Sequence, residues 1–523
     1  MNTTTRFKVF ANLYKDSVTL MQLGAQLRGR DGIAEASCLM ATPANLAKLQ
    51  HADLSIDTQA SPSDLLVVVR GAPAACDEAI DAADALLQAK GASGGGGAEA
   101  FAMPLASLAL AVESNPGVDL ALISVPGDYA AAEAMKAIAL GLHVMVFSDN
   151  VSVADELAIK TAARAKDLLV MGPDCGTAIV NGVPLGFANV VRRGDIGLVA
   201  ASGTGLQEVT CRIHNLGGGV SQALGTGGRD LKEEIGGITM LQGLAALAAD
   251  RQTRVIVLIS KPPAPAIARA IEEAAGAAGK PVVVHFLGAD EPARGGLHVA
   301  ASLRHAADVA VALARGEPAP APSSIPAAAA LAAVEQCVAT MAPTQKSVRA
   351  LFTGGTFCYE AQLAFIERGL PCRSNAPAKG ALAFDGRFDG HVFLDLGDDD
   401  YTRGRPHPMI DPLLRDAAVR EQGADAQTAA ILFDVVLGFG SHADPARGLA
   451  HALADAQREA RRQGRVLALI GHVCGTDGDP QDKAAQVRQL EAAGAVIVGS
   501  NVEAAALAAN VAARLAGRPA RRG

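Results

Sequence analysis

Residues 196–218, with the sequence IGLVAASGTGLQEVTCRIHNLGG, decide the fold of this chain. The apolar run at 196–201 predicts a buried strand of a parallel sheet, and the residues after the Ser-Gly-Thr turn predict a helix. Glycine in such a turn lets the backbone bend tightly and pass close to a ligand. Since ligands of open parallel sheets bind at the carboxyl ends of the strands, the turn marks a candidate binding crevice.

A second stretch repeats this order. Residues 349–370, RALFTGGTFCYEAQLAFIERGL, again predict an apolar strand, a Gly-Thr turn and a helix. The corresponding triplets are Gly203, Thr204 and Glu208 in the first stretch and Gly355, Thr356 and Glu360 in the second. Three downstream segments match in the same order: 224–231 with 395–402, 255–263 with 431–440, and 281–290 with 466–479. Four matched elements predict an internal duplication, but the sequence does not tell whether the two turns face one crevice or two.

The chemistry of the turns favours an anion. A helix N-terminus offers free N–H groups and a positive dipole end, which bind phosphate or carboxylate. Hydroxyl groups, Lys261 after a strand and two arginines in an acidic loop add donors and positive charge. The predicted anion-binding residues are Ser202, Gly203, Thr204, Gly354, Gly355, Thr356, Lys261, Arg403 and Arg405. The alternatives are that Ser and Thr only cap the helices and that Lys261 is an ordinary surface residue.

Strands and helices alternate along most of the chain, which predicts an α/β fold class. With 523 residues the chain is too long for one hydrophobic core. We predict a small ferredoxin-like or ACT-like domain at 1–92, a Rossmann-like domain at 101–193, and two flavodoxin-like parallel-sheet domains at 194–316 and 346–520. A glycine-rich linker at 91–100 and a segment rich in Pro and Ala at 316–330 separate these domains.

Composition excludes several classes of protein. The net charge of −8, from 46 Lys and Arg against 54 Asp and Glu, gives no support to nucleic-acid binding. The eight cysteines include no CxxC pair, which in a large α/β chain indicates a reducing compartment. The N-terminus lacks an apolar core of signal-peptide length, and no uninterrupted apolar stretch reaches about 18 residues. We therefore expect a cytoplasmic protein that binds neither nucleic acid nor membrane.

Several motifs resemble a known family. Segments similar to the succinyl-CoA synthetase α subunit are GPDCGTAI (172–179), LVAASGTGLQE (198–208), GTGGRDL (225–231) and VIVLISKPPAP (255–265). Segments similar to the C-terminal ligase domain of its β subunit are FLDLGDDD (393–400) and ILFDVVLGFG (431–440). Their combination with GGTFCYEA, SKPPAP and DLGDDDYTRGRPHPMIDP in one chain resembles the FdrA family. The domains at 194–316 and 346–520 are then ligase domains, and the Rossmann-like domain at 101–193 is then of the CoA-binding type.

The resemblance implies roles for four residues. Asp174 and Cys175 would lie near the reacting acyl or thiol end, and Glu208 would match the glutamate that steadies the synthetase's phosphohistidine. The histidine itself should lie between two glycines, whereas His298, in GGLHVAASLRHAA, lacks the second. The alternatives are that Cys175 is a small buried hydrophobe, Glu208 an ordinary first-turn acid, and 298–302 a strand end with Ser302 capping a helix.

The sequence assigns no cofactor with certainty. The place of a CoA-binding phosphate loop holds PLASLALAVESNPGVD (104–119), which is not glycine-rich, so CoA is doubtful. The run Asp398-Asp399-Asp400 offers oxygen ligands of the kind that Mg²⁺ takes, and its alternative is a solvated acidic turn with local salt bridges. His472 and Asp477 follow the predicted last strands and are candidates only for the rim of the site.

The FdrA resemblance implies transfer of an acyl group from an acyl phosphate such as carbamoyl phosphate, as in oxamate carbamoyltransferase and ureide catabolism. The partners would be small anionic substrates, namely an acyl or carbamoyl phosphate and a small carboxylate, together with other subunits of a hetero-oligomeric enzyme. One alternative is a nucleotide-forming acyl-CoA synthetase that works with a separate ATP-grasp subunit. Another is a regulatory or scaffold subunit that binds an anionic metabolite.

Overall fold

Both Gly-Thr turns join a parallel strand to a helix in the computed structural model. It describes residues 3–11, 13, 15, 17–42, 45–46, 49, 54, 56–89, 107–289, 296–402 and 406–517. The predicted linker at 91–100, and the predicted anion-binding residues Arg403 and Arg405, lie outside the described residues. The chain divides into two units, the first containing 1–118, 124–126 and 399–411, and the second containing 119–123, 127–398 and 412–523.

The first unit is built on a three-stranded antiparallel sheet. Its elements are β1 (Thr4–Phe10), α1 (Ser17–Arg28), β2 (Ile33–Met40), β3 (Leu65–Gly71), α2 (Pro73–Ala89) and α3 (Leu108–Ser114). The strand order is β1-β3-β2. The central strand β3, LLVVVRG, is apolar almost throughout because both of its faces are covered, Val67 and Val69 on one side and Leu66 and Val68 on the other.

The second unit begins with a three-stranded parallel sheet of order β4-β5-β6. Its elements are β4 (Leu120–Ile123), α4 (Gly127–Ala139), β5 (His143–Val146), α5 (Val153–Arg164) and β6 (Val170–Met171). They follow the predicted alternation. The segment 177–186, which we predicted to belong to the same domain, instead forms a hairpin on the next sheet, where Ile179 pairs with Ala223. Local sequence pattern does not specify which sheet such an edge hairpin joins.

A seven-stranded sheet follows, of order β13-β12-β11-β9-β10-β7-β8. Its strands and helices are β7 (Thr177–Val180), β8 (Val183–Gly186), β9 (Arg193–Ala200), α6 (Gly203–Asn215), β10 (Val220–Gly225), α7 (Ile238–Ala249), β11 (Val255–Ser260), α8 (Pro265–Gly276), β12 (Val282–Phe286), β13 (His298–Val299) and α9 (Leu303–Ala314). Every residue of β11 is buried, because helices cover both faces of the sheet.

The last sheet also has seven strands, all parallel, of order β16-β15-β17-β14-β18-β19-β20. After α10 (Ala328–Ala339) come β14 (Ser347–Phe352), α11 (Gly355–Ile366), β15 (Cys372–Ser374), β16 (Leu382–Ala383), β17 (His391–Asp395), α12 (Asp399–Thr402, part of the first unit), α13 (Leu413–Ala424), β18 (Thr428–Val436), α14 (Pro445–Arg462), β19 (Ala468–Cys474), α15 (Lys483–Ala492), β20 (Val496–Val498) and α16 (Asn501–Leu515).

The two large sheets share one topology. The order β13-β12-β11-β9-β10 in the first is matched by β20-β19-β18-β14-β17 in the second. In each, the strand before the Gly-Thr turn lies at the centre, which agrees with the repeat predicted from the sequence. Within the described ranges, no helix is long and apolar enough to cross a bilayer.

Candidate active site

The two Gly-Thr turns contact each other at one place, which we call the crevice. Ser202 Oγ and Thr356 Oγ1 share a hydrogen bond of 2.6 Å. The Gly354 Cα lies so close to the other turn that a Cβ there would be 2.9 Å from Thr204 Cγ2 and 3.0 Å from Thr204 Oγ1. The N-termini of α6 and α11 therefore meet, one from each half of the repeat, and the question left open by the sequence is answered within the second unit.

This junction leaves hydrogen-bond donors for an anion. The first amides of any helix have no intrahelical acceptor. In α6 the Ser202 side chain accepts from Gly205 N at 2.9 Å, so the capping alternative holds for Ser202. In α11 the N-cap residue is Gly354, whose lack of a side chain leaves the first amides uncapped. The buried Thr204 Oγ1 has no hydrogen-bond partner among the described residues.

Asp395 and Lys261 border the same helix terminus. A Cβ on Gly355 would lie 2.3 Å from Asp395 Oδ2, so the carboxyl group packs directly against the first turn of α11. Lys261 Nζ lies 5.3 Å from the ring centroid of Tyr359 in that helix. Burial raises the pKa of Asp395 to about 7, while the positive charge of Lys261 opposes the rise. The structure thus brings Lys261 to the crevice and adds Asp395, which the sequence analysis did not assign.

Glu208 is paired with a histidine of the other half. His472 Nε2 donates to Glu208 Oε2 at 2.7 Å, and both side chains are buried. Burial alone would raise the pKa of Glu208, but the charge and hydrogen bond of His472, with Lys483, bring that pKa below its ordinary value. Burial alone would lower the pKa of His472, but Glu208 raises it overall. The two groups form a buried ion pair.

His298 has a different place. It lies in β13 at the edge of its sheet and pairs with Val283 of β12. None of the contacts among the described residues joins it to Glu208. The histidine partner of Glu208 is His472, which sequence reasoning placed only at the rim, since nothing in the local pattern reports a contact between residues 264 positions apart.

Glu360, the counterpart of Glu208, is also buried but has other partners. Its Oε1 accepts from Leu303 N at 3.0 Å, and its Oε2 accepts from Asn501 Nδ2 at 2.8 Å. These donors lie at the first residues of α9 and α16. Burial raises the pKa of Glu360 to about 7, and the negative charge of Glu208 adds to the rise. Glu360 thus fixes the starts of α9 and α16, whereas its counterpart Glu208 bonds to His472 of β19.

Cys175 is a buried thiol. Its Sγ lies 3.5 Å from Thr177 O and 3.4 Å from Gly225 O. Burial raises its pKa to about 12, so the thiolate is absent at neutral pH. Its neighbour Asp174 has a positive φ of 56° and donates its backbone N–H to Ser148 O at 3.0 Å. These contacts support the alternative that Cys175 packs as a small hydrophobe.

The acidic run does not assemble a metal site. In the described ranges, no three His, Cys, Asp or Glu side chains lie together in a way that could hold a metal ion. The predicted Mg²⁺ ligands Asp398, Asp399 and Asp400 are therefore not brought together as such. Asp399 and Asp400 begin the short helix α12, whose geometry spreads neighbouring side chains around its axis.

Three family models match this chain. A CoA-ligase model matches residues 351–511, a CoA-binding domain model matches 191–288, and a model described as "AllF, heavy metal-associated domain" matches 1–102. The CoA-binding match contains the turn before α6, and the CoA-ligase match contains the turn before α11. The shared crevice therefore lies between a CoA-binding domain and a CoA-ligase domain.

Similar proteins carry related names. The uncharacterized protein YahF of Escherichia coli is 43% identical over 504 residues, covering 95% of this chain and 96% of that protein. Subunit alpha 2 of the ADP-forming succinate–CoA ligase of Archaeoglobus fulgidus is 27% identical over 172 residues, 32% of this chain and 58% of that subunit. The dinucleotide-forming acetyl-coenzyme A synthetase 1 of Ca. Korarchaeum cryptofilum has a TM-score of 0.34 and 16% identity, covering 81% of this chain and 88% of that one.

In the described part of residues 1–102, the cysteine donors do not fit a heavy metal. Residues 1–102 contain two cysteines and one histidine, His51, which lies outside the described residues. Burial raises the pKa of Cys38 to about 12, and Cys76 Sγ donates to Thr4 O at 3.6 Å inside the core. Soft metal ions need thiolate or free imidazole ligands. Two protonated core thiols do not provide them.

We therefore expect the Cys38→Ala/Cys76→Ala double variant to retain the same amount of metal as the wild type. Both proteins would be incubated with Zn²⁺ or Cu⁺ under reducing conditions, desalted and analysed by plasma mass spectrometry. The six cysteines outside this unit are common to both proteins and cancel in the comparison. One extra equivalent of metal in the wild type would contradict the expectation.

Proposed function

The chain belongs to the family of the protein YahF and carries CoA-binding and CoA-ligase domains, and from this premise we propose that it transfers an acyl group between an acyl phosphate and an acceptor. The reaction takes place where the N-termini of α6 and α11 meet. The observation that carries the proposal is the 2.6 Å hydrogen bond between Ser202 Oγ and Thr356 Oγ1, which brings the first residues of two helices together.

The phosphate group would be held by this chain's own donors. The N-terminus of α11, which has no side-chain cap, would supply its first amides, and Thr204 Oγ1 would supply a buried hydroxyl group. Lys261 adds a positive charge beside α11. Fixed donors around the phosphate stabilise the charge that collects on it as it leaves the acyl carbon, at no cost of reorganisation.

The domain matches imply coenzyme A as an acceptor, and the Thr204 hydroxyl group and the uncapped N-terminus of α11 suit an anion of its phosphate class. Coenzyme A, when bound, would supply a thiol to accept the acyl group. The task of the chain is to hold the acyl phosphate and the acceptor in register, which removes the entropic cost of bringing them together.

Carbamoyl phosphate is the donor that the sequence resemblance implies. The same resemblance gives a nucleotide-forming synthetase a phosphohistidine steadied by a glutamate, and the pair of Glu208 and His472 is compatible with either reaction. Transfer from carbamoyl phosphate needs no histidine carrier. Further subunits of a hetero-oligomeric enzyme would then bring the acceptor.

Phosphorus NMR tests the proposal. Acetyl phosphate or carbamoyl phosphate is mixed with ATP, the protein and either CoA or oxamate, and the phosphorus signals of the acyl phosphate and of ATP are followed against a control without protein. Acceptor-dependent loss of that signal is the expected result. If ATP is consumed only with CoA, a nucleotide-forming synthetase is favoured instead. If phosphate binds but no donor is consumed, with partner subunits present, the chain is a regulatory or scaffold subunit.

Thr204→Val is expected to weaken binding of inorganic phosphate about tenfold or more, because a hydrogen bond to a charged group contributes about 1.5–3 kcal/mol. Titration calorimetry with phosphate measures the change. Thr340→Val is the matched control, since Thr340 is exposed at the end of α10. Equal phosphate affinity of Thr204→Val and wild type would remove Thr204 from the site.

A further inference from the structure

Asp395 lies beside the turn that begins α11. It is the last residue of β17 and pairs in register with Phe352, three residues before Gly355. The carboxyl ends of adjacent parallel strands meet at one edge of the sheet. The strand therefore delivers this carboxyl group to the turn that begins α11.

The backbone of Asp395 is fixed on both sides. Its N–H donates to Asn375 Oδ1 at 2.9 Å, and its carbonyl accepts from Asn375 Nδ2 at 3.0 Å. Oδ1 accepts from Gly397 N at 3.0 Å. Oδ2 makes none of the hydrogen bonds formed among the described residues, although Asp395 is only 7% exposed, and it lies against Gly355. One carboxyl oxygen thus lies against the first residue of α11 and takes no part in the hydrogen bonds among the described residues.

Both carboxyl oxygens of the neighbouring Asp434, unlike those of Asp395, accept hydrogen bonds. Asp434, on β18, is completely buried and accepts from Thr353 N at 2.7 Å and from Gly354 N at 2.9 Å. Both of its oxygens also accept from Thr353 Oγ1 at 3.0 Å. Asp434 is therefore committed to shaping the turn, whereas Asp395 keeps one oxygen for another partner.

The surroundings of Asp395 bring its pKa close to neutral pH. Burial is the largest influence and raises its pKa to about 7, helped by the negative charges of Asp398 and Asp434. Lys261 and the Gly397 amide act in the opposite direction. A group that titrates near the working pH both accepts and returns protons efficiently.

We propose that Asp395 is the general base of the acyl transfer, an inference that rests on the proposed function. The acceptor's sulfur or nitrogen forms a bond to the acyl carbon, and the bond from that carbon to the phosphate oxygen breaks, its electron pair leaving with the phosphate. The acceptor's proton passes to Asp395 Oδ2. Asp395 then returns this proton to the departing phosphate, so that the carboxylate is regenerated. In the reverse direction the same group acts as the acid.

The test is the Asp395→Asn variant in the acyl transfer assay, with the wild-type chain and its partner subunits as reference. We expect kcat to fall about 10²–10⁴-fold, while the affinity for inorganic phosphate stays equal or increases, since a negative charge is removed. The wild-type kcat should rise with pH through about pH 7, and this limb should be absent in the variant. Asp385→Asn is the control, an identical change at an exposed position before β17.

The outcomes distinguish a failure of the proposed function from a failure of the role of Asp395. If wild-type protein neither binds phosphate nor consumes an acyl phosphate, the proposed function is wrong. If it does both, and Asp395→Asn keeps kcat within a few fold, only the role of Asp395 is overturned. A wild-type kcat that is flat between about pH 6 and 8 also overturns it, and that measurement needs no variant to fold.

Discussion

Lys160→Met is expected to lower the free energy of unfolding by about 3–5 kcal/mol, the usual result of removing one partner from a buried charge network. Lys160 is completely buried in α5. Its Nζ donates to Glu156 Oε1 at 2.9 Å, to Asp230 Oδ1 at 2.7 Å and to Thr226 O at 3.1 Å. Methionine fills similar space but leaves the buried Asp230 without its cation and Glu156 with Arg229 alone.

The damage should also reach the loop after β10. Asp230 also accepts from Thr239 N at 3.1 Å and from Met240 N at 2.9 Å. It therefore holds the start of α7 in addition to binding Lys160. Urea unfolding followed by circular dichroism measures the loss. Lys136→Met is the matched control, because Lys136 is a largely exposed helix residue whose ion pair with Glu133 contributes about 0.5 kcal/mol or less. Similar losses for the two variants would contradict the prediction.

Glu208→Gln should be nearly as damaging, about 3–5 kcal/mol, because it leaves the buried His472 without its counter-charge. The stability contributed by Glu208, whose folded pKa is lowered, is present above about pH 4.3 and lost as pH falls through that lower pKa. The stability contributed by His472, whose folded pKa is raised, is present below about pH 6.5 and lost as pH rises through the raised pKa.

The difference between wild type and Glu208→Gln should therefore be largest between about pH 4.3 and 6.5 and should shrink at alkaline pH. Urea titrations of both proteins at a series of pH values measure this difference. Glu335→Gln is the control, since Glu335 forms an exposed ion pair with Arg514. A loss for Glu208→Gln that is the same at every pH would show that its cause is packing and not charge.

Sequence pattern was sufficient for the elements and the repeat. Apolar strands followed by Gly-Thr turns produce the strand–turn–helix modules at 196–218 and 349–370, because strand burial and turn glycines are local properties. The edge hairpin at 177–186 was misplaced because its strands are short and pair with β10, which lies later in the chain.

The site was predicted less completely, since its contacts join the two halves. Ser202 and Thr356 were both predicted to bind an anion, but their mutual hydrogen bond spans 154 positions. Charge density drew attention to Asp398–Asp400, whereas the acid that packs against the first turn of α11 is Asp395, the last residue of β17, whose burial the sequence does not reveal.

The crevice at which α6 and α11 meet has a consequence for how the chain can evolve. After a duplication, one copy is usually free to drift, because the other keeps the original task. In this chain neither half holds a complete set of anion donors, so at the junction a change on one side must suit the other, as with Ser202 and Thr356. Away from the junction this constraint does not apply, and Glu208 and Glu360 have already taken different partners. The two halves therefore depend on each other at the junction and can change independently elsewhere.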